Sequence, residues 1–353
     1  MDSLTQLVLG AGVGAAVLGR HVGPRKAVLV GGVLGTLPDL DVFYPFDNPV
    51  DAFVWHRAAT HSLIMHACAT PVLGELLRLG FKDLRAARWH AWAAVFLCLT
   101  THALLDAMTV YGTRIFWPVW PDPVGLGSIF IIDPLYTVPL LVAFVWALFL
   151  GKWTARFRTV LVAAFVLSTT YLGWTALAQR LVAERAEATL AAAGIVPERL
   201  LATPTPFNSL LWRAIAVDGP RYLNLYLPVA GGVPEVYEHA RGNVACLAGN
   251  EAAAILGNFA KGFFKVEDDG RQVLVADLRM GLTPNYVFRY LVAERRDGLL
   301  APVPAARMRM PRSAPGDLPW LWAMVSGEAM PRPAEQPFLV ADLRPRESVS
   351  ATC

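Results

Sequence analysis

The stretch 159–179, Thr-Val-Leu-Val-Ala-Ala-Phe-Val-Leu-Ser-Thr-Thr-Tyr-Leu-Gly-Trp-Thr-Ala-Leu-Ala-Gln, decides how the chain is read. It runs 21 residues without Asp, Glu, Lys or Arg. A bilayer span needs about 20 mostly apolar residues. Three more charge-free runs meet or approach that length: 134–151 with 18 residues, and 58–74 and 89–105 with 17 each. The last two carry histidines, which a lipid-facing helix does not tolerate cheaply. Upstream, 3–19 is uncharged and glycine-rich. Residues 27–38 are uncharged for only 12 positions before Asp39, a length that suits a buried or re-entrant segment as well as a span.

The whole composition agrees. Of the 353 residues, 55% are hydrophobic and 17% are charged, against about 25% charged in an ordinary soluble domain. This excludes a disordered chain and argues against a simple soluble enzyme. The net charge of +3 is unremarkable, and no basic run interleaved with aromatics points to nucleic acid. The four cysteines are scattered, with no Cys-x-x-Cys pair, so neither a zinc finger nor a disulfide framework is expected. Cys68 and Cys98 read as small core residues.

From Arg180 onward, charges become frequent and Pro and Gly punctuate short apolar runs. Strands are expected at 222–227, 262–266, 272–278 and 286–293. Asp268-Asp269-Gly270 supplies the turn of a hairpin. The reading is an α-helical multi-pass membrane bundle of about six spans, or four plus a re-entrant hairpin. A small β-rich or α+β soluble domain follows. The expected boundaries are 1–180 for the membrane part, 181–199 for a helical extension, 200–345 for the soluble domain and 346–353 for a disordered tail.

Orientation follows from the connections. Arg20, Arg25, Lys26, Lys82, Arg85, Arg88, Lys152, Arg156 and Arg158 lie in alternate connections, and the others hold only Arg57 and Arg114. The positive-inside rule puts the basic set in the cytoplasm. With an even number of spans, the soluble domain is then expected outside.

Five of the seven histidines lie between residues 56 and 102. Asp39 and Asp41, then His56, Arg57 and His61, then His102 and Asp106, fall at the outer ends of the expected spans two, three and four. His and carboxylate are the nitrogen and oxygen ligands of zinc or manganese. His102 and Asp106, four apart, share a helix face. His56, His61, His102, Asp106, Asp39 and Asp41 are six candidate ligands. That number suits two ions, or one ion plus a catalytic carboxylate. Asp39 or Asp41 is the expected base, and Arg57 the expected partner of a substrate phosphate; Arg114 is a second candidate for that role. Of the remaining histidines, His66 reads as a hydrogen-bonded core residue, His21 and His90 as interfacial, and His239 as surface. The other reading of the cluster is a structural Asp–His network.

Met1-Asp2-Ser3-Leu4-Thr5-Gln6, Leu37-Pro38-Asp39-Leu40-Asp41, His56-Arg57-x-x-Thr60-His61-Ser62 and Thr101-His102-x-Leu104-Leu105-Asp106-x-x-Thr109-x-Tyr111-Gly112-Thr113 resemble the YdjM-type family. That family is described as LexA-binding, inner-membrane-associated metal-dependent hydrolases. The resemblance covers about residues 1–115, and 203–213 resembles the extended C-terminal region of longer members. Many members have His where this chain has Gln6, so that N-terminal ligand is missing here; Asp2 remains. More distantly the family is similar to zinc-dependent phospholipases C and nucleases. That similarity implies His56, His61, His102 and Asp106 as ligands, with Asp39 and Asp41 as ligands or base.

The resemblance implies a bacterial inner-membrane enzyme with one or two zinc ions, manganese being the alternative. A site at headgroup level implies a phosphoester or lipid-like substrate, with the bilayer itself as partner. The sequence identifies no protein partner, and an outward soluble domain argues against direct LexA contact. The rival reading is a non-catalytic metal-binding membrane protein, a transporter or regulatory scaffold. Transport predicts polar residues spread along the depth of several spans, whereas here they gather at one end.

Overall fold

A computed structural model describes residues 1–296 and 299–345; the expected disordered tail at 346–353 lies outside the described residues. The helices are α1 (Ser3–Val22), α2 (Pro24–Thr36), α3 (Pro49–Trp55), α4 (Leu63–Gly80), α5 (Arg88–Ala107), α6 (Pro134–Phe149), α7 (Ala155–Ala192), α8 (Glu251–Phe259) and α9 (Asp317–Ser326). The strands are β1 (Arg199–Pro204), β2 (Leu211–Asp218), β3 (Arg221–Pro228), β4 (Glu235–Ala240), β5 (Phe264–Asp268), β6 (Gln272–Asp277), β7 (Gly281–Leu282), β8 (Asn285–Tyr286), β9 (Arg289–Arg296) and β10 (Leu299–Arg307). The chain packs as two units. One comprises 1–44, 56–176 and 206–208, and the other 45–55, 177–205 and 209 onward.

The first unit is helical. Asp2 caps α1 by accepting from the Leu4 and Thr5 amides, which removes it from the ligand candidates. The core of the unit is the pair α1–α2. Gly10 and Gly14 face Gly31 and Gly35, and both pairs are spaced as Gly-x-x-x-Gly. A Cβ on Gly10 would lie 2.4 Å from the Gly31 carbonyl oxygen, and one on Gly14 would lie 2.6 Å from the Gly31 Cα. The two helices therefore touch backbone to backbone, as small-residue motifs permit in membranes. Val8, Leu9, Val28, Val95, Leu99, Tyr136, Leu140 and Leu161 pack around them.

Among the described residues, α1 and α7 are long and apolar enough to cross a membrane, and α6 is a shorter apolar helix. The expectation of about six spans is not supported. The charge-free runs overstate the helices they contain. Residues 58–62 of one run form the turn before α4, so only 12 uncharged residues precede Glu75 within that helix. Helix α5 keeps its length but carries His90, Thr100, Thr101 and His102.

The second unit is β-rich, as expected. Sheet one has the order β1-β2-β3-β4 and sheet two the order β10-β9-β6-β5, all antiparallel, with β7-β8 a separate pair. Alternation in β2 and β3 is read on both faces. Trp212, Ala214, Leu223 and Leu225 pack on Ala178, Val182, Ala186 and Leu190, the four-residue stripe of the C-terminal half of α7. Ile215, Val217 and Tyr222 pack on Ala276, Leu278 and Tyr286. The β5–β6 hairpin turns at Asp268-Asp269-Gly270 as expected, with Gly270 at φ 86°. Helix α3 belongs to this unit: Phe53 lies 4.3 Å from Phe288 and 4.7 Å from Phe259, ring centre to ring centre.

Two residues differ from their expected setting. Cys68 is exposed rather than in the core, while Cys98 is buried. His239 is not on the surface. It is buried, and its Nε2 lies 2.7 Å from Glu335 Oε1.

Candidate metal centre

The site forms where four segments of the helical unit end. Helix α2 runs into a 3-10 turn, Leu37–Phe43, that presents Asp39 and Asp41. Ser62 caps α4 and fixes the preceding short turn, Ala59–His61. The last turn of α5 supplies His102 and Asp106, and α1 contributes Gln6.

His61, His102, Asp39 and Asp106 come together. The Nε2 atoms of His61 and His102 are 3.1 Å apart. Asp106 Oδ2 lies 3.3 Å from His61 Nε2 and 3.6 Å from His102 Nε2. Asp39 Oδ1 lies 3.5 Å from each. A tetrahedral ion with ligands at 2.0–2.1 Å has ligand–ligand edges of about 3.3 Å, so these spacings fit one.

The tautomers fit too. His102 Nδ1–H donates to the Gly35 carbonyl at 2.6 Å. Thr60 Oγ1–H donates to Asp41 Oδ2, so His61 Nδ1–H donates to Thr60 Oγ1, each at 3.0 Å. With Nδ1–H given to an oxygen in both rings, the two Nε2 atoms are left facing one another, as two ligands of one cation would be. Such outer-shell acceptors orient ligand histidines and raise their basicity. Asp106 Oδ1 accepts from Gln6 Nε2 at 2.9 Å and from the Met1 amino group. Asp106 Oδ2 is buried and accepts no hydrogen bond, which marks it as a donor atom left for an ion.

Asp41 and His56 do not join the four. His56 Nδ1–H donates to Asp41 Oδ1 at 2.8 Å, and Asp41 Oδ2 also accepts from the Arg57 amide. Burial pushes the Asp41 carboxyl up. The hydrogen bond from His56 outweighs this, so the carboxyl is held below the usual carboxylate range.

Arg57 is buried at φ 65°, a conformation unusual outside glycine. Its Nε lies 3.0 Å from Asp106 Oδ2 without hydrogen-bond alignment, and its guanidinium sits 4.8 Å from the Tyr111 ring centre. Arg114 is tied within its own loop to the Pro121 carbonyl. His66 is a core residue as expected, with Nε2–H donating to the Thr60 carbonyl at 2.8 Å.

A family model described as YdjM inner membrane protein matches residues 1–182. The chain belongs to the YdjM family. It is similar to Inner membrane protein YbcI of Escherichia coli (strain K12), at 32% identity over 116 residues. That match spans 33% of this chain and 62% of YbcI. No solved structure matches. Membership in the YdjM family makes this a membrane protein, and the whole His/Asp group falls within the matched residues.

Sequence reasoning passed over three residues that line this candidate site. Thr60 was visible only as part of the His56–Ser62 motif. Gln6 stood as a missing ligand and proves to hold Asp106. Gly35 acts through its carbonyl, which every residue possesses, so only its place in a Gly-x-x-x-Gly pair signalled it.

Proposed function

We propose that this chain is a membrane-bound metal-dependent hydrolase acting on a phosphoester or lipid-like substrate. One observation carries the reading. Two histidine Nε2 atoms face each other at 3.1 Å, with Asp39 Oδ1 and Asp106 Oδ2, which accepts no hydrogen bond, completing the set. A divalent cation, zinc or manganese, held there supplies Lewis acidity toward an ester oxygen and toward water.

The chain's own residues do the rest. Asp39 is the outermost of the four donors, with its side chain 22% exposed against 0–1% for the others, so substrate meets the site on that side. Arg57 places a fixed positive charge beside Asp106 for an anionic oxygen. His56, with Nδ1–H held by Asp41, keeps Nε2 as a base that takes a proton from water and returns it to the leaving oxygen.

The site is assigned to the extracytoplasmic end. The donors lie just before α4 and at the end of α2 and α5, with Gln6 at the start of α1. Arg20, Arg25, Arg78 and Arg88 lie at the other ends of those helices. The β-rich unit is assigned outside as well. Alkaline phosphatase fused at the C-terminus is expected to be active and GFP dark; the reverse inverts the orientation.

The second reading, a non-catalytic metal-binding membrane protein, is favoured by the donor count. Four protein ligands close a tetrahedral site, whereas catalytic zinc keeps a position open. The test is metal content and phosphodiester hydrolysis of the detergent-purified full chain. Wild type should hold about one equivalent, lost in His102→Ala. His56→Ala should keep the metal and lose hydrolysis at least about tenfold. Bound metal with no hydrolysis of diesters or phospholipids decides for the second reading.

A further inference from the structure

We infer that the segment from Arg307 through α9 is a surface by which the β-rich unit binds an anionic phospholipid bilayer. This does not rest on the hydrolase reading.

Helix α9 is apolar on two sides. Trp320 and Met324 point inward and pack with Leu211, Tyr226 and Tyr237. On the opposite stripe, four residues apart, Leu318 is 68% exposed and Trp322 is 77% exposed. Among the described residues, nothing covers them. A helix whose inner face is already satisfied does not need a second apolar face for folding.

The approach to this helix is basic. Arg307, Arg309 and Arg312 are all exposed, with Met310 exposed among them. Among the described residues none of the three is ion-paired. Arg307 stacks at 4.6 Å over Phe288 and donates to the Val287 carbonyl, which leaves its charge uncompensated. The one acid in the stretch, Asp317, is buried and paired with Arg332, at 2.9 Å from Nε to Oδ1. Leu318 lies six positions after Arg312, a reach of at most about 21 Å. Cations and an exposed Trp–Leu pair thus form one short strip.

Charge complementarity and tethering select the occupant. Exposed tryptophan flanked by arginine is the composition of elements that sit at the headgroup level. Helix α7 runs unbroken from its apolar half, a candidate span, into this unit. A surface so tethered meets lipid at high effective concentration.

The test uses the full chain in vesicles, with p-benzoylphenylalanine replacing Trp322. On irradiation, vesicles containing phosphatidylglycerol should give a lipid adduct on the peptide carrying the probe. Phosphatidylcholine alone should give about tenfold less. Arg307→Gln with Arg309→Gln and Arg312→Gln should lower the first yield to the second. The same probe at Val233, an exposed loop position of this unit, should give no adduct. Equal yields in both lipids, equal adducts at Val233, a cross-linked dimer, a cross-linked protein or no adduct would each overturn the assignment.

Discussion

His61 and His102 face each other through Nε2 atoms 3.1 Å apart, and in both rings Nδ1–H is already given to an oxygen. Replacing either by alanine removes a donor that its neighbours cannot replace. Outer-shell changes weaken metal binding roughly 10–100-fold, so these inner changes should exceed that. Competition against a fluorescent chelator measures it; unchanged affinity in both variants removes the assignment.

Thr60→Val separates orientation from ligation. The hydroxyl passes the charge of Asp41 to His61 without touching the four donor atoms. Metal affinity should drop roughly 10–100-fold with the donor set intact. A variant indistinguishable from wild type in the same titration would show that His61 is held by packing alone.

In the β-rich unit, Glu335 sets an acid limit. Burial pushes its carboxyl up, but hydrogen bonds from His239 and Tyr226 and the charge of Arg332 bring it down to about 2. The folded value lies below the ordinary 4.5. The stabilisation is therefore complete above the unfolded value and is lost as pH falls from there toward 2. By linkage it is on the order of 3 kcal/mol. Glu335→Gln should lose it at neutral pH and leave Asp317 as the remaining acidic partner of Arg332. Thermal melts from pH 7 to pH 3 should show wild type losing stability below about pH 4.5 and the variant much flatter.

Phe53→Ala tests the placement of α3. The ring is buried among Phe259, Phe288 and Tyr290, and such truncations cost roughly 3–5 kcal/mol. The variant should become sensitive to limited proteolysis within 45–55, and protection equal to wild type would place α3 elsewhere.

The candidate metal residues were legible because histidine and carboxylate stand out in an apolar background. Their division into donors and holders was not. Asp39 and Asp41 are two positions apart with the same side chain, and only the path of the 3-10 turn decides that one meets two histidines and the other meets His56. The β-rich unit was recognisable from alternation and from Asp269-Gly270. Strand β2 escaped because Arg213 interrupts its apolar run, and nothing in the sequence marks that side chain as buried. The number of spans was overestimated because a run between charges measures composition, whereas a span is a length of helix. Where Ser62 caps α4, the two part company.

Gly31→Val should prevent accumulation of folded protein. Its Cβ would meet the Gly10 carbonyl oxygen at 2.3 Å and the Gly14 Cα at 2.7 Å. Backbone cannot yield as a flexible side chain does, so the cost should exceed the roughly 1–3 kcal/mol typical of overpacking. Membrane-fraction yield and a detergent melt report it, and wild-type values for both would reject the close crossing.

The same crossing reaches into the chemistry. The bare carbonyl of Gly35 is the acceptor that dictates which nitrogen of His102 keeps its proton. A methyl group at Gly35 would lie 2.8 Å from the Gly10 Cα. It would drive the helices apart and withdraw that acceptor from the imidazole. The ring would then be free to turn its protonated nitrogen toward His61. A defect in how two helices nest would thus be felt as a proton on the wrong atom, some distance from the contact that failed.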